Sequence, residues 1–323
     1  MIDIMNNLSG KIMQERKLMK EDVGKALYIL LQSDIGKSIV ESCQSSNFDV
    51  SEIQLVPPDG KRGAMCFRQI DGQEIQDIVS VNENLLEHET FKLITNQDEK
   101  CQMLANLLAH ELTHAIQYGH NSDLIPVENN KQQNEDVQSN PVEEAIMESL
   151  MEADCRAVQF VMALQNQSPA VLKILEKQHM PSNGLPILNK DQYTIWKLRY
   201  KVDNNFDMIK KQQAFREIFS NILTSYANVY EKYVFPKYGI RSKIDFNGHE
   251  KLLASIYDER KYGSARQFAD IIPNLSDKSK MVLIGAILSR EKTIRRHHTI
   301  KISTSEKTKS NYPFNKEMSK TLE

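Results

Sequence analysis

The residues best suited to chemistry in this chain form the motif His110-Glu111-Leu112-Thr113-His114, in which two histidines lie four positions apart. Residues with this spacing share one face of an α-helix, so both imidazoles can bind the same ion. Zinc binds imidazole nitrogen readily, and a catalytic zinc site keeps one position open for water. A neighbouring carboxylate can then take a proton from that water during attack on a carbonyl carbon. The motif predicts a zinc site with His110 and His114 as ligands and Glu111 as general base.

The residues around the motif predict the helix that must hold it. Apolar side chains recur at helical spacing between Met103 and Ile116. Asn96, followed three residues later by Glu99, is typical of a helix N-terminus with a capping box. Gly119 predicts the end of the helix. We therefore expect both histidines on one amphipathic helix, close to its C-terminal end.

A zinc site needs at least a third protein ligand, and the residues themselves leave three candidates open. Glu148 and Glu152 lie one turn apart on the next predicted helix, for which Asn140-Pro141 provides a start signal. His120 stands where the metzincin pattern HExxHxxGxxH has its third histidine. That pattern has a glycine where this chain has Gln117, and glutamine lacks the backbone freedom for the sharp exit from the helix.

The segment from His110 to Gln117, HELTHAIQ, resembles the HELTHAxQ form of the gluzincin-type metallopeptidases. In such relatives the third ligand is a glutamate in an E-(A/G)-(D/N)-x-x-A segment on the following helix. Residues 152–157, EADCRA, match that segment. The resemblance implies a zincin-like core, Glu152 as third ligand and Asp154 as a partner that orients an imidazole.

In architecture the chain is also similar to metalloprotease effectors that bacteria inject into host cells, one type of which cleaves actin. The features behind this likeness are the zincin motif, an N-terminus without the apolar core of a secretory signal, and a polar tail. The likeness implies a protein or peptide substrate, such as host actin, and translocation into a host cytosol by a non-classical signal.

Charge and cysteine content narrow the class of protein. A net charge of −2 over 323 residues gives no case for binding nucleic acid or a membrane surface. The four cysteines form no CxxC pair, which favours free thiols in a reducing, cytoplasmic compartment. The most apolar run, residues 281–288, is too short to span a bilayer.

Periodicity predicts an α+β fold that is predominantly helical, with one small sheet. Helices are expected over residues 9–46, where Ser33 and Asp34 can start a second helix, and over 170–178, 191–202, 206–233, 250–257, 265–271 and 277–290. Three strand-like runs at 50–56, 64–70 and 75–81 are separated by turn signals and predict an antiparallel meander. The strand nearest the motif helix, residues 78–82, is expected at the sheet edge, where an extended peptide could pair with it.

We predict three regions along the chain. Residues 1–167 should form the zincin-like catalytic domain, residues 168–290 a helical region, and residues 291–323 a polar, flexible tail. The active-site cleft is expected between the first two regions, because pockets often form at such boundaries.

These patterns favour a zinc-dependent endopeptidase in which Glu111 passes the proton of a metal-bound water to the leaving amine. A further donor to the oxyanion is expected, but spacing does not select among Tyr118, His120, His179, Tyr193, Tyr200 and His249. The alternative function is a non-catalytic zincin-like module that binds a partner through its helical half. The intact Glu111 argues against it, since a structural site has no use for that carboxylate. The remaining alternative is a helical scaffold without metal.

Overall fold

Helices dominate the structure, a computed structural model that describes residues 19–45, 48, 50, 53–57, 64–71, 74–85, 89–92, 94, 96–120, 140–166, 168, 171–172, 174–175, 199 and 207–305. The main elements are α1 (Lys20–Gln32), α2 (Asp34–Ser45), β1 (Gln54–Val56), β2 (Ala64–Asp71), β3 (Glu74–Asn82), α3 (Glu89–Lys92), α4 (Gln97–His120), α5 (Pro141–Gln165), α6 (Met208–Val229), α7 (Glu250–Ile256), α8 (Glu259–Tyr262), α9 (Ala265–Ile271) and α10 (Asp277–Ser305). This arrangement confirms the predicted α+β class with helices predominant.

The N-terminal helical stretch is divided at Ser33, as the Ser33-Asp34 pair predicts. The Ser33 hydroxyl donates to the Leu30 carbonyl at 2.9 Å and accepts from the Gly36 amide at 2.9 Å. The turn is so tight that a Cβ at Gly36 would lie 1.9 Å from the Leu30 carbonyl oxygen, so only glycine fits there. Both helices pack against α4. The predicted helical residues 9–18 lie outside the described part of the chain.

The three strands form a mixed sheet in the order β1-β3-β2, which corrects the predicted antiparallel meander. β2 and β3 form the expected antiparallel hairpin, with Ala64 opposite Val81 and Asp71 opposite Glu74. β1 instead pairs in parallel with β3, from Gln54 opposite Ser80. The connection from 57 to 63 is long enough to carry the chain past β3, whereas the turn at 72–73 permits only a hairpin.

The prediction that residues 78–82 form an edge strand is wrong. They belong to β3, which lies at the centre of the described sheet, between β1 and β2. β2 is the edge strand on the side of the motif helix, and it packs directly against α4. β2 therefore forms the edge of the described sheet that lies beside the motif helix.

The two long helices that carry the site begin as the sequence predicts. At α4, the Asn96 side chain accepts from the Asp98 amide at 2.8 Å. At α5, the Asn140 side chain accepts from the Val142 amide at 3.1 Å, with Pro141 in the first helical position. α4 runs through Gly119 to His120, so the predicted stop at Gly119 falls one residue early.

The C-terminal helices differ from the prediction in their ends. The long helix expected to 233 becomes a π-helix at Tyr230–Val234 and a 3₁₀ turn at Phe235–Tyr238. The last helix continues to Ser305, past its predicted end at Arg290, so residues 291–305 are helical. α8 was not predicted. The structure describes part of the helix expected at 170–178, namely residues 171–172 and 174–175. Of the helix expected at 191–202 it describes only residue 199.

A single buried apolar cluster joins the helices on both sides of the predicted boundary at 167/168. It contains Leu108 from α4, Val158 from α5 and Phe219 from α6, none of them exposed to solvent. Burial of one such side chain stabilises a fold by about 1.5–3 kcal/mol, so this cluster fixes α6 against the site helices. Among the helices described, none has both the length and the apolar character needed to cross a bilayer.

Candidate metal centre

Two buried imidazoles from α4 form the centre of the site. His110 is 5 % exposed and His114 is 9 % exposed. Their Nε2 atoms lie 3.2 Å apart, and the rings meet edge to face with centroids 4.8 Å apart. The helical spacing therefore brings two metal-binding nitrogens to one point, as the motif predicts.

The carboxylate of Glu152 reaches the same point from α5. Its Oε1 lies 3.2 Å from His114 Nε2, and its Oε2 lies 3.7 Å from His110 Nε2. Nitrogen ligands 2.0–2.1 Å from a tetrahedral zinc ion would lie about 3.3–3.4 Å from one another. The donor atoms are thus spaced as ligands of one small ion, and the set of two imidazoles and one carboxylate suits zinc.

Cys155 adds a second possible ligand set. His110, His114 and Cys155 form a buried group whose ligand atoms lie within 4.8 Å of one another and could hold a metal ion. The Cys155 sulfur lies 3.4 Å from His114 Nδ1, on the opposite side of the ring from Nε2. The two sets therefore share both histidines and differ in which nitrogen of His114 faces the ion.

Gln117, one turn after His114, determines which nitrogen that is. Its Nε2 donates to the Met151 carbonyl at 3.2 Å and to Asp154 Oδ2 at 3.1 Å. Its Oε1 therefore faces His114 Nδ1, at 3.0 Å. An amide oxygen only accepts, so Nδ1 carries a proton, and Nε2 is the ring nitrogen that points towards Glu152 and His110.

Asp154 is fully buried and is held by the C-terminal half of the chain. Lys261 Nζ donates to its two oxygens at 2.9 and 3.1 Å, and the Tyr262 hydroxyl donates to Oδ1 at 2.6 Å. Both donors come from α8. Asp154 reaches His114 through Gln117, whereas the resemblance implied only that it orients an imidazole.

Glu111 faces the sheet. Its Oε2 accepts a hydrogen bond of 2.8 Å from the backbone amide of Cys66 in β2. That amide points away from β3, towards the outer edge of β2 in the described sheet. The carboxylate is therefore fixed where the edge strand meets the motif helix.

The outer oxygen of Glu152 has two partners of its own. Arg156 Nε, one turn further along α5, lies 3.5 Å from Oε2. The Tyr226 hydroxyl of α6 donates to the same oxygen at 3.5 Å. These contacts orient the carboxylate so that Oε1 faces His114.

Burial and charge shift the ionisation of the site groups in opposite directions. Burial lowers the pKa of His110. Burial also acts to lower the pKa of His114, but Cys155 and Glu152 outweigh it and raise that pKa well above its usual value. For Glu152, burial acts to raise the pKa, yet the two histidines hold it well below its usual range. Burial raises the pKa of Cys155 to about 11.

The other predicted site residues have different surroundings. Glu148 is exposed and accepts a hydrogen bond from Tyr230. His120 ends α4, and its side chain lies outside the described part, as do His179, Tyr193 and Tyr200. Tyr118 stacks on His114 with ring centroids 6.2 Å apart. His249 precedes the first residue of α7.

Several residues at the site were not predicted as part of it. Cys155 and Arg156 fill the two variable positions of the EADCRA segment, so the motif gives them no role. No motif surrounds Cys66, Tyr226, Lys261 or Tyr262. Tyr226 and Tyr262 lie 74 and 108 positions from the residues they contact, so no local pattern links them. Compared with protein-family models, with curated proteins and with solved structures, the chain matches none. The interpretation of the site therefore depends on its own geometry.

Proposed function

We propose that this protein is a zinc-dependent endopeptidase that hydrolyses a peptide bond in a protein substrate. The observation that carries the proposal is the convergence of His110 Nε2, His114 Nε2 and the Glu152 carboxylate at 3.2–3.7 Å. Glu111 follows His110 on the same helix, and the Cys66 amide fixes its carboxylate. Two imidazoles and a carboxylate are a ligand set of catalytic zinc sites, which leave a position open for water.

In this proposal Glu111 is the residue that moves protons. When bound, zinc supplies Lewis-acid chemistry that makes water a nucleophile and polarises a carbonyl. Glu111 takes the proton from the attacking water and delivers it to the leaving amine. The Cys66 amide holds Oε2 of Glu111 at 2.8 Å, so the carboxylate is oriented before substrate arrives.

The hydrogen bonds of His114 favour Glu152 over Cys155 as the third ligand. His114 Nδ1 already donates to Gln117, so a metal on the Cys155 side would have to break that bond. On the Glu152 side, Nε2 faces Oε1 at 3.2 Å and becomes a ligand when metal binding releases its proton. Arg156 and Tyr226 hold Glu152 in place, and they support the same choice.

The outer edge of β2, which pairs with no other strand that the structure describes, is the surface on which we propose that the substrate binds. An extended peptide can add to a sheet edge through its main chain, which would hold its scissile bond beside Glu111. We propose a host protein such as actin as the first substrate to test, on the resemblance to injected effectors. The four buried, unpaired cysteines support action in a reducing compartment.

A second candidate function is a non-catalytic module that holds a structural metal ion. The closeness of Cys155 to both histidines favours it, because structural zinc sites are commonly closed by cysteine and histidine. In that case Glu111 would contribute no chemistry, and the helical half would bind a partner protein.

Metal content by elemental analysis tests the two ligand sets. Purified wild-type protein should contain about one zinc ion per chain, and His110→Ala should contain almost none. Glu152→Ala should lose the metal, while Cys155→Ser, its matched control on the same helix, should keep it. The reverse result would favour the structural site. Wild-type protein without zinc after reconstitution would contradict both functions.

A further inference from the structure

The short helix α8 lies in the C-terminal half of the chain and reaches the site, as Tyr226 of α6 also does. It brings Lys261 and Tyr262 onto Asp154, with donor–acceptor distances of 2.6–3.1 Å. Asp154 is 1 % exposed and Tyr262 is not exposed at all. A buried carboxylate costs free energy unless it is paired and hydrogen-bonded, and these two residues supply both the charge and the donors.

The position of α8 is fixed at both ends. The Asp258 side chain accepts from the Arg260 amide at 2.9 Å and caps the helix, and Gly263 ends it with φ of 80°. The Tyr262 ring packs between Phe219 and Phe268, with centroids 5.2 and 4.8 Å away. The Tyr262 hydroxyl is therefore held in one place by aromatic packing.

From Asp154 the hydrogen bonds continue to the imidazole. Asp154 Oδ2 accepts from Gln117 Nε2, and Gln117 Oε1 accepts from His114 Nδ1. If the amide of Gln117 were rotated by half a turn, its oxygen would face the carboxylate oxygen at 3.1 Å, and two acceptors would repel. A fixed Asp154 thus fixes the amide, and the amide fixes the proton and the orientation of His114.

We infer that Lys261 and Tyr262 are positioning residues of the metal centre, which hold His114 ready for the ion through Asp154 and Gln117. This inference rests on the proposed function, since it takes His114 Nε2 as a ligand. It assigns a role to a segment more than 100 positions from the ligand it serves. Residues that orient a metal ligand through hydrogen bonds contribute to metal affinity without touching the metal.

A plain structural role for the same residues makes a different prediction. If Lys261 and Tyr262 only neutralise and bury Asp154, their replacement would lower the stability of the fold and leave metal affinity unchanged. If they position His114, affinity for zinc falls even where the fold is intact. Affinity and melting temperature must therefore be measured on the same samples.

Tyr262→Phe is the decisive variant, because phenylalanine keeps the aromatic packing and removes only the hydroxyl. Tyr257→Phe is its matched control. Tyr257 packs on the same Phe268, at 5.4 Å between centroids, and its hydroxyl donates to the Gly263 carbonyl instead of to Asp154. Competition between full-length protein and a chelator for zinc gives the affinity. We expect Tyr262→Phe to bind zinc about tenfold more weakly than wild type, and Tyr257→Phe to bind like wild type.

Two further readouts report on His114 itself. Hydrogen exchange of the Nδ1 proton of His114, followed by NMR, should be faster in Tyr262→Phe and unchanged in Tyr257→Phe. Lys261→Met should weaken zinc binding, and Lys261→Arg should restore much of it, since arginine keeps the charge and the donors. If Lys261→Met does not fold, the comparison of the two tyrosine variants still decides the question.

The outcomes separate this inference from the function on which it rests. Equal zinc affinity in Tyr262→Phe and Tyr257→Phe, with zinc bound by wild type and lost in His110→Ala, would overturn the positioning role alone. No zinc binding by wild type would overturn the proposed function and this role together.

Discussion

The two sides of the histidine pair are held in very different ways. On the helical side, His114 bonds to Gln117, and Asp154 is bound by Lys261 and Tyr262. On the sheet side, the one donor to Glu111 within the described part of the chain is the backbone amide of Cys66. His110 Nδ1 is buried there and has no hydrogen-bond partner among the described residues.

In the proposed function, the two sides have different roles: one carries a metal ligand and the other carries the general base. A ligand must stay in place, and a connected set of hydrogen bonds restricts its motion. A base must gain and lose a proton, and strong fixed donors on its oxygens would oppose protonation. Under the proposed function, the helical side would hold the metal ligand and the sheet side would transfer the proton.

The largest effect should come from the sheet side through Glu111→Gln. Glutamine keeps the size of the side chain but cannot accept the proton, so peptide hydrolysis should fall by about 10²–10⁴-fold. Zinc content should stay at the wild-type level, because Glu111 is not a proposed ligand. The assay is cleavage of a protein substrate, with elemental analysis of the same preparation. Hydrolysis at the wild-type rate would remove Glu111 from the mechanism.

On the helical side, Lys261→Met should lower the free energy of unfolding by about 3 kcal/mol, because it leaves the buried Asp154 carboxylate without its partner. Urea unfolding measures this loss. The double variant Asp154→Asn with Lys261→Met removes the unpaired charge and should be more stable than Lys261→Met alone. A double variant as unstable as the sum of its parts would show that the ion pair is not the cause.

A smaller effect should follow from removing the donor to Glu111. Cys66→Pro deletes the backbone N–H, and proline is tolerated in an edge strand where the N–H faces away from the sheet. Loss of one hydrogen bond to a charged group costs about 1.5 kcal/mol, so the hydrolysis rate should fall about tenfold. Cys66→Ala keeps the N–H and serves as the control. If both variants lose the same activity, the thiol and not the amide is responsible.

The smallest effect concerns the cap of α8. Burial acts to raise the pKa of Asp258, but Lys261 and Arg260 outweigh it, so its pKa is lower in the folded protein than in the unfolded chain. A group of this kind stabilises the fold above its unfolded pKa of about 3.9, and the contribution is lost as pH falls through the folded pKa. Asp258→Asn should therefore lose less stability on acidification than wild type. Urea unfolding at successive pH values checks this, and parallel curves would contradict it.

Local features of the fold were predictable because local forces determine them. The starts of α4 and α5 follow from Asn96 and Asn140, whose side chains accept from amides two residues on. The position of β1 was not predictable, since its pairing with β3 depends on how a seven-residue connection crosses the sheet. Propensity identifies a strand without identifying its neighbour.

The residues of the site also divide into those that local spacing predicts and those that only the fold brings together. His110, Glu111 and His114 could be predicted because one helix carries all three at fixed spacing. Glu152 needed a resemblance, because nothing in the spacing separates it from Glu148. In the structure Glu152 faces both imidazoles, while the exposed Glu148 pairs with Tyr230. The partners on α6 and α8 are brought in by packing of the apolar core, which residue spacing does not report.

The pairing of Asp154 with Lys261 also has a consequence during synthesis. The two residues are 107 positions apart, and ribosomes add about 5–20 residues per second, so Asp154 exists for roughly 5–20 s before its partner is made. Throughout that interval the nascent chain already contains both histidines and Glu152, while the lysine that neutralises Asp154 is still missing. The order of the chain therefore delays the finished site until Lys261 has been synthesised.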